Sequence, residues 1–132
     1  YFGIDAEPYN AIKLVVRGYG PDSGIVIIEL FDDDNNTWEV EPHPEFDSET
    51  LADDKFIHTL KVTWNGWKVI MIPFSKFVDG NIDVGDDKWN PYQKKGSGGL
   101  LQMQLVLLAS NKKETPRVLV DTIKIFNNPS LR

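Results

Sequence analysis

Along residues 11–19 apolar and polar side chains alternate, with Ile12, Leu14 and Val16 on one face and Lys13, Val15, Arg17 and Tyr19 on the other, the pattern of a half-buried strand. The glycines, proline, aspartate and serine of residues 18–24 then supply a loop. A second strand over 25–32 places Val26, Ile28 and Leu30 on one side and Ile27, Glu29 and Phe31 on the other. The run 32–36 reads as a solvated acidic turn, with 37–40 as the return strand of a hairpin. Residues 41–55 form a long polar connection with at most one helical turn near 48–52. Strands resume at 56–63 and 67–72, and the second of these stops at Pro73, which cannot donate to a sheet ladder. Phe74 and Phe77 follow at the spacing of one turn. Residues 78–99 carry little sheet signal, and two strong strands close the chain at 100–109 and 118–126. About eight short strands with almost no helix predict an all-β fold of two packed antiparallel sheets in one domain, residues 1–132.

The chain has 132 residues, 41% hydrophobic and 26% charged, enough to bury one proper core. Fourteen basic residues scattered among twenty acidic ones give a net charge of −6, which argues against a nucleic-acid partner. There is no cysteine, so thiol catalysis, disulfide scaffolds and cysteine-ligated metals drop out. No apolar run reaches the roughly 20 residues that cross a bilayer. The start Tyr-Phe-Gly-Ile reads as that of an excised domain of a larger multidomain protein, with any targeting signal outside it.

Candidate recognition residues lie on strands and in one loop. Gln102 and Gln104 share the face of the 100–109 strand opposite Leu101, Met103, Leu105 and Leu107, and an amide's donors and acceptor match the dual character of a sugar hydroxyl. Arg17 and Tyr19, if in the same sheet, would add a guanidinium fork and a ring for stacking. Glu29 is either part of that surface or an ionic neighbour of Arg17. Trp89 and Tyr92 sit in a glycine-rich polar segment, where Trp89 is a ring platform or a plug anchoring its loop; Trp38 is likewise platform or core. Trp67 reads as core. His43 and His58 lack a transition-metal spacing. Asp121, set among β-branched residues in Val118-Leu-Val-Asp-Thr-Ile, would be costly to bury without a cation or hydrogen-bond donors. Asp32-Asp33-Asp34 does not fit an EF-hand loop.

The stretch Trp67-Lys-Val-Ile-Met-Ile-Pro-Phe-Ser-Lys-Phe77, with the 11–19 strand, the Gly-Pro-Asp-Ser-Gly loop and the terminal Val-Asp-x-Ile strand, resembles the galactose-binding-domain-like jelly rolls that serve as carbohydrate-binding modules beside glycoside hydrolases. The resemblance implies a jelly-roll β-sandwich that binds a β-glucan or related plant or algal polysaccharide in a concave-face cleft and keeps an attached enzyme near its substrate. It implies an extracellular, cell-surface or periplasmic setting and no membrane insertion. It also implies a structural calcium near the chain ends, with Asp121 as a ligand and Asp5 or Glu7 completing the site. The segment 89–99 and the glutamine pair depart from the general pattern. Two alternatives stand beside this one: a structural or interaction sandwich packing on a neighbouring catalytic domain, and a glycoside hydrolase or polysaccharide lyase. The last is disfavoured because Glu39 and Glu41 share a face without the Glu-x-Asp-x-x-Glu pattern of jelly-roll laminarinases.

Overall fold

A computed structural model describes residues 3–41 and 52–131. Within them the chain is almost entirely β. Its strands are β1 (Ala11–Tyr19), β2 (Gly24–Asp32), β3 (Asp54–Val62), β4 (Asn65–Pro73), β5 (Val78–Asp79), β6 (Leu100–Leu108) and β7 (Leu119–Phe126). They form two antiparallel sheets, ordered β4-β1-β7 and β5-β3-β2-β6, in the manner of an all-β sandwich. The expected return strand at 37–40 is absent: Trp38 and Glu39 form a bend, and Trp38 takes a left-handed backbone with φ 62°. The helical turn expected near 48–52 lies mostly outside the described residues, and so does His43.

The chain divides into two compact units. Unit 1 comprises Tyr1–Pro8, Glu29–Ile57 and Phe77–Gln104; unit 2 comprises Tyr9–Ile28, His58–Lys76 and Leu105–Arg132. The core of unit 2 follows from the alternation of β1. Ile12, Leu14 and Val16 are fully buried, joined by Val26, Ile28, Val62, Ile72 and Phe74. β1 runs in continuous register with β4, from Ala11 opposite Pro73 to Tyr19 opposite Asn65. Pro73 therefore ends an outer strand of the three-stranded sheet, where a missing donor costs least, and the 3-10 turn Phe74–Lys76 folds Phe74 into the core. Gly18 is required here, since a β-carbon would lie 2.2 Å from the Trp64 carbonyl oxygen. Against β7 the register shifts after Leu14, and Thr122, at φ 60°, is the residue left over.

Trp67 is not core. With Val69 and Met71 it occupies the outward face of β4, all three about half exposed, in register with Arg17, Val15 and Lys13. In unit 1 the buried apolar residues are Ala6, Leu30, Phe31, Ala52, Phe56, Phe77, Leu100 and Leu101.

Candidate functional site

The chemistry of unit 1 collects where apolar strands end in aspartates. β2 runs from Leu30 and Phe31 into Asp32, and β3 begins at Asp54 after Asp53. Because β2 and β3 are antiparallel neighbours, the end of one lies beside the start of the other. The acidic run at 32–34 is thus no solvated turn: Asp32, Asp53 and Asp54 are fully buried, and Asp33 nearly so.

Backbone amides meet these carboxylates. Asp34 Oδ2 accepts from the amides of Asp54 (3.0 Å) and Asp86 (3.4 Å). Asp54 accepts from Asp87 (3.1 Å) and Lys88 (3.2 Å), and Asp32 Oδ2 from Asn90 (3.1 Å). Asp53 accepts from Asp34 and Glu41, at 3.1 and 2.8 Å. Asp33 ties down a different turn, accepting from Gly98 (2.7 Å) and Trp38 (3.3 Å). The segment that crosses the acids needs glycine at position 85. There φ is +76°, and a β-carbon would stand 2.4 Å from both Asp34 Oδ2 and Asp54 Oδ1.

Burial and mutual repulsion push several of these groups far above the ordinary carboxylate range. Asp32 is raised to about 8, mainly by desolvation and then by the charges of Asp54, Asp86 and Asp53, against the opposing bond from Asn90. Asp34 is likewise raised to about 8 and Asp54 to about 9, desolvation leading in both. Asp53 reaches about 6 for the same leading reason. Asp86 moves the other way: although desolvation opposes it, hydrogen bonds from Asp54, Asn90 and Lys88 hold it below the usual value. Two sets of oxygens, from Asp32, Asp34 and Asp54 and from Asp54, Asp79 and Asp87, lie within 4.8 Å of one another and could hold a metal ion. All are carboxylate oxygens, which suit hard cations such as calcium or magnesium.

Beside the acids, unit 1 has an open cleft of about 280 Å³, lined among others by Asp34, Asn36, Asp86, Asn90, Tyr92 and Lys94. Its walls carry amides, carboxylates and the ammonium groups of Lys94 and Lys95, and the Lys94 Nζ sits 5.5 Å from the centre of the Tyr92 ring.

The residues expected from sequence separate into several places. Arg17 and Tyr19 lie in the three-stranded sheet, whereas Glu29, Gln102 and Gln104 lie in the four-stranded one, so they do not share the one sheet expected from sequence. Tyr19 is instead engaged by two guanidinium groups, Arg117 at 3.9 Å and Arg17 at 4.9 Å from its ring centre. Within unit 1, Glu29 and the glutamines stand on neighbouring strands β2 and β6, on the sides opposite buried Leu30 and Leu101, and Gln102 Nε2 donates to Gln104 Oε1 at 3.3 Å. Trp89 is a plug: it is half-buried and meets Phe56 edge-on at 5.2 Å. Trp38 is 44% exposed, but its Nε1 donates to the Gly96 carbonyl at 2.7 Å and its ring lies against Gly3 and Gly98. Tyr92 alone of the expected aromatic residues lines the cleft.

Asp121 is exposed on β7 opposite Val15, so the cost of burial that singled it out does not arise. Asp5 accepts the amides of Glu7 and Gln93, and Glu7 pairs with Lys94 at 2.6 Å. The carboxylates that gather in unit 1 were not marked by sequence as a site at all. No protein-family profile, curated protein or solved structure matches the chain.

Proposed function

We propose that the chain is a non-catalytic carbohydrate-binding module that holds a polysaccharide, of β-glucan or related plant or algal type, in the unit 1 cleft. The observation that carries this reading is the lining of the cleft. Asn36 and Asn90 amides can donate to and accept from the same hydroxyl-rich ligand, Asp34 and Asp86 accept, Lys94 donates, and the Tyr92 ring offers an apolar face for sugar C–H groups. In this reading the sandwich is a jelly roll, the protein works outside the cell, and the module raises the local substrate concentration of an attached glycoside hydrolase. A structural calcium belongs to the same proposal, and the residues present that suit it are the unit 1 carboxylates, not Asp121.

Affinity electrophoresis through gels containing glucans, xylans, mannans and algal polysaccharides tests the reading. Retardation in at least one gel, lost in Tyr92→Ala, supports it; free migration in every gel overturns it. Reducing ends or unsaturated products released from the same panel would instead make the chain an enzyme.

A second reading rests on unit 2. Exposed Trp67, Val69 and Met71 beside Arg17 and Lys13 make an apolar, cationic sheet face of the kind that packs on another domain. Retention of a neighbouring catalytic domain, lost in Trp67→Ala, would favour it.

A further inference from the structure

The strongest unexplained feature of the molecule is a set of carboxyl groups buried without a counter-ion. Asp32 and Asp54 are fully buried and Asp34 half-buried, and among the described residues no lysine or arginine forms an ion pair with any of them. Backbone amides occupy Asp32 Oδ2, both oxygens of Asp54 and Oδ2 of Asp34. Asp32 Oδ1 is different: it is buried and has no hydrogen-bond partner, while its carboxylate lies within 4.8 Å, oxygen to oxygen, of Asp34 and Asp54. An ionised oxygen in that position keeps the whole penalty of its lost hydration unless something positive meets it.

We propose that Asp32, Asp34 and Asp54 bind a hard divalent cation of the calcium class, and that this ion fastens the segment from Gly85 to Asn90 onto the ends of β2 and β3. Three carboxylates, from the end of β2, the bend that follows it and the start of β3, give the charge and the oxygen donors that such an ion takes. The main chain is already shaped to the site, because Gly85 passes so close to Asp34 and Asp54 that no side chain fits. The neighbouring set of Asp54, Asp79 and Asp87 is the weaker claimant. Asp87 is exposed, Asp79 Oδ1 accepts from the Asn81 amide at 2.9 Å, and neither has a buried oxygen without a partner. The inference deepens the calcium part of the proposed function and rests on none of its saccharide part, so either can fail alone.

The test uses the full chain, stripped with EDTA and exchanged into chelator-free buffer at pH 7.5. It is titrated calorimetrically with calcium chloride and, separately, magnesium chloride, and melted with and without each. Saturable single-site heat and a melting temperature raised by several degrees are expected, with Asp32→Asn weakening binding at least tenfold while Asp79→Asn and Asp121→Asn stay within twofold. Where Asp32→Asn does not fold, terbium luminescence of the wild type, displaced by calcium, gives the second reading. An absence of heat, of a melting shift and of terbium displacement overturns the proposal, and the acids then share protons instead. Loss of the ion in Asp79→Asn with retention in Asp32→Asn overturns the assignment of ligands.

Discussion

Replacing Gly85 by alanine isolates the close passage of the main chain over the acids. The new β-carbon meets two obstacles at once, a left-handed backbone and carboxylate oxygens 2.4 Å away on Asp34 and Asp54. The backbone part costs about 1 kcal/mol. The contacts cannot be absorbed by a flexible side-chain tip, because both oxygens are held by amides of Asp54, Asp86 and Asp87. The segment must lift, and each hydrogen bond to a buried carboxyl group that it gives up is worth up to about 1.5 kcal/mol. Losing two of them brings the total up to roughly 4 kcal/mol. Gly96→Ala is the matched control in the same unit, since Gly96 has φ +89° and open space where its β-carbon would go. It should cost only the backbone part, about 1 kcal/mol. Urea unfolding, with an m-value of about 2 kcal/mol/M, should therefore separate the two midpoints by roughly 1 M. If the two variants unfold within about 0.3 M of each other at equal m-value, corresponding to roughly 0.6 kcal/mol, the segment is not clamped by the acids and the geometry of the site is wrong.

Other outcomes follow from the same structure. In EDTA, stability should be greatest near pH 4 and fall as pH rises toward 8–9. Asp32, Asp34 and Asp54 have folded values raised from 3.8 to about 8, 8 and 9, so their stabilising protonation is complete at low pH and lost through those values; a profile that rises with pH in chelator would contradict this. Calcium at a hundredfold excess over its dissociation constant should add about 2.7 kcal/mol, roughly 10 °C in melting temperature for a chain of this size, measured by calorimetry. Phe56→Leu should cost about 1–2 kcal/mol and shift Trp89 emission to the red, because it removes the edge-on ring partner. Leu14→Ala, at a fully buried position of β1, should cost about 2–5 kcal/mol, whereas Trp67→Thr, half exposed on β4, should stay within about 1 kcal/mol by the same unfolding assay.

The strands were legible because alternation fixes which side of a strand is buried. Ile12, Leu14 and Val16, Val26 and Ile28, and Leu101 all lie where the two-residue period puts them. Trp67 shows where that logic stops. β4 carries apolar residues on both faces, so Val69 and Met71 cannot be told from Ile70 and Ile72 by pattern, and only the sheet order reveals which side stays open. The sheet assignment of Arg17 was beyond the sequence for a related reason. Period two places a side chain on a face, but says nothing of which strand lies alongside.

The acid cluster was illegible for a deeper cause, and it points to what the fold does with its acidic composition. Asp32-Asp33-Asp34 read alone is a polar turn, and Asp53-Asp54 read alone is the edge of a long polar connection. Their meaning depends on antiparallel neighbours joining the end of β2 to the start of β3. It then depends on Gly85 bringing a third segment across both, whose Asp86 amide is 52 positions from Asp34 and whose Asp87 amide is 33 from Asp54. The one local clue is that each run directly abuts an apolar strand, since aspartates so placed are drawn inside with it. A protein gains nothing from burying like charges for their own sake, because desolvation and repulsion both oppose it. An arrangement that collects amides around Asp34 and Asp54, leaves one oxygen of Asp32 unanswered and uses a left-handed glycine to bring the main chain close has its costs offset when a cation is the missing partner.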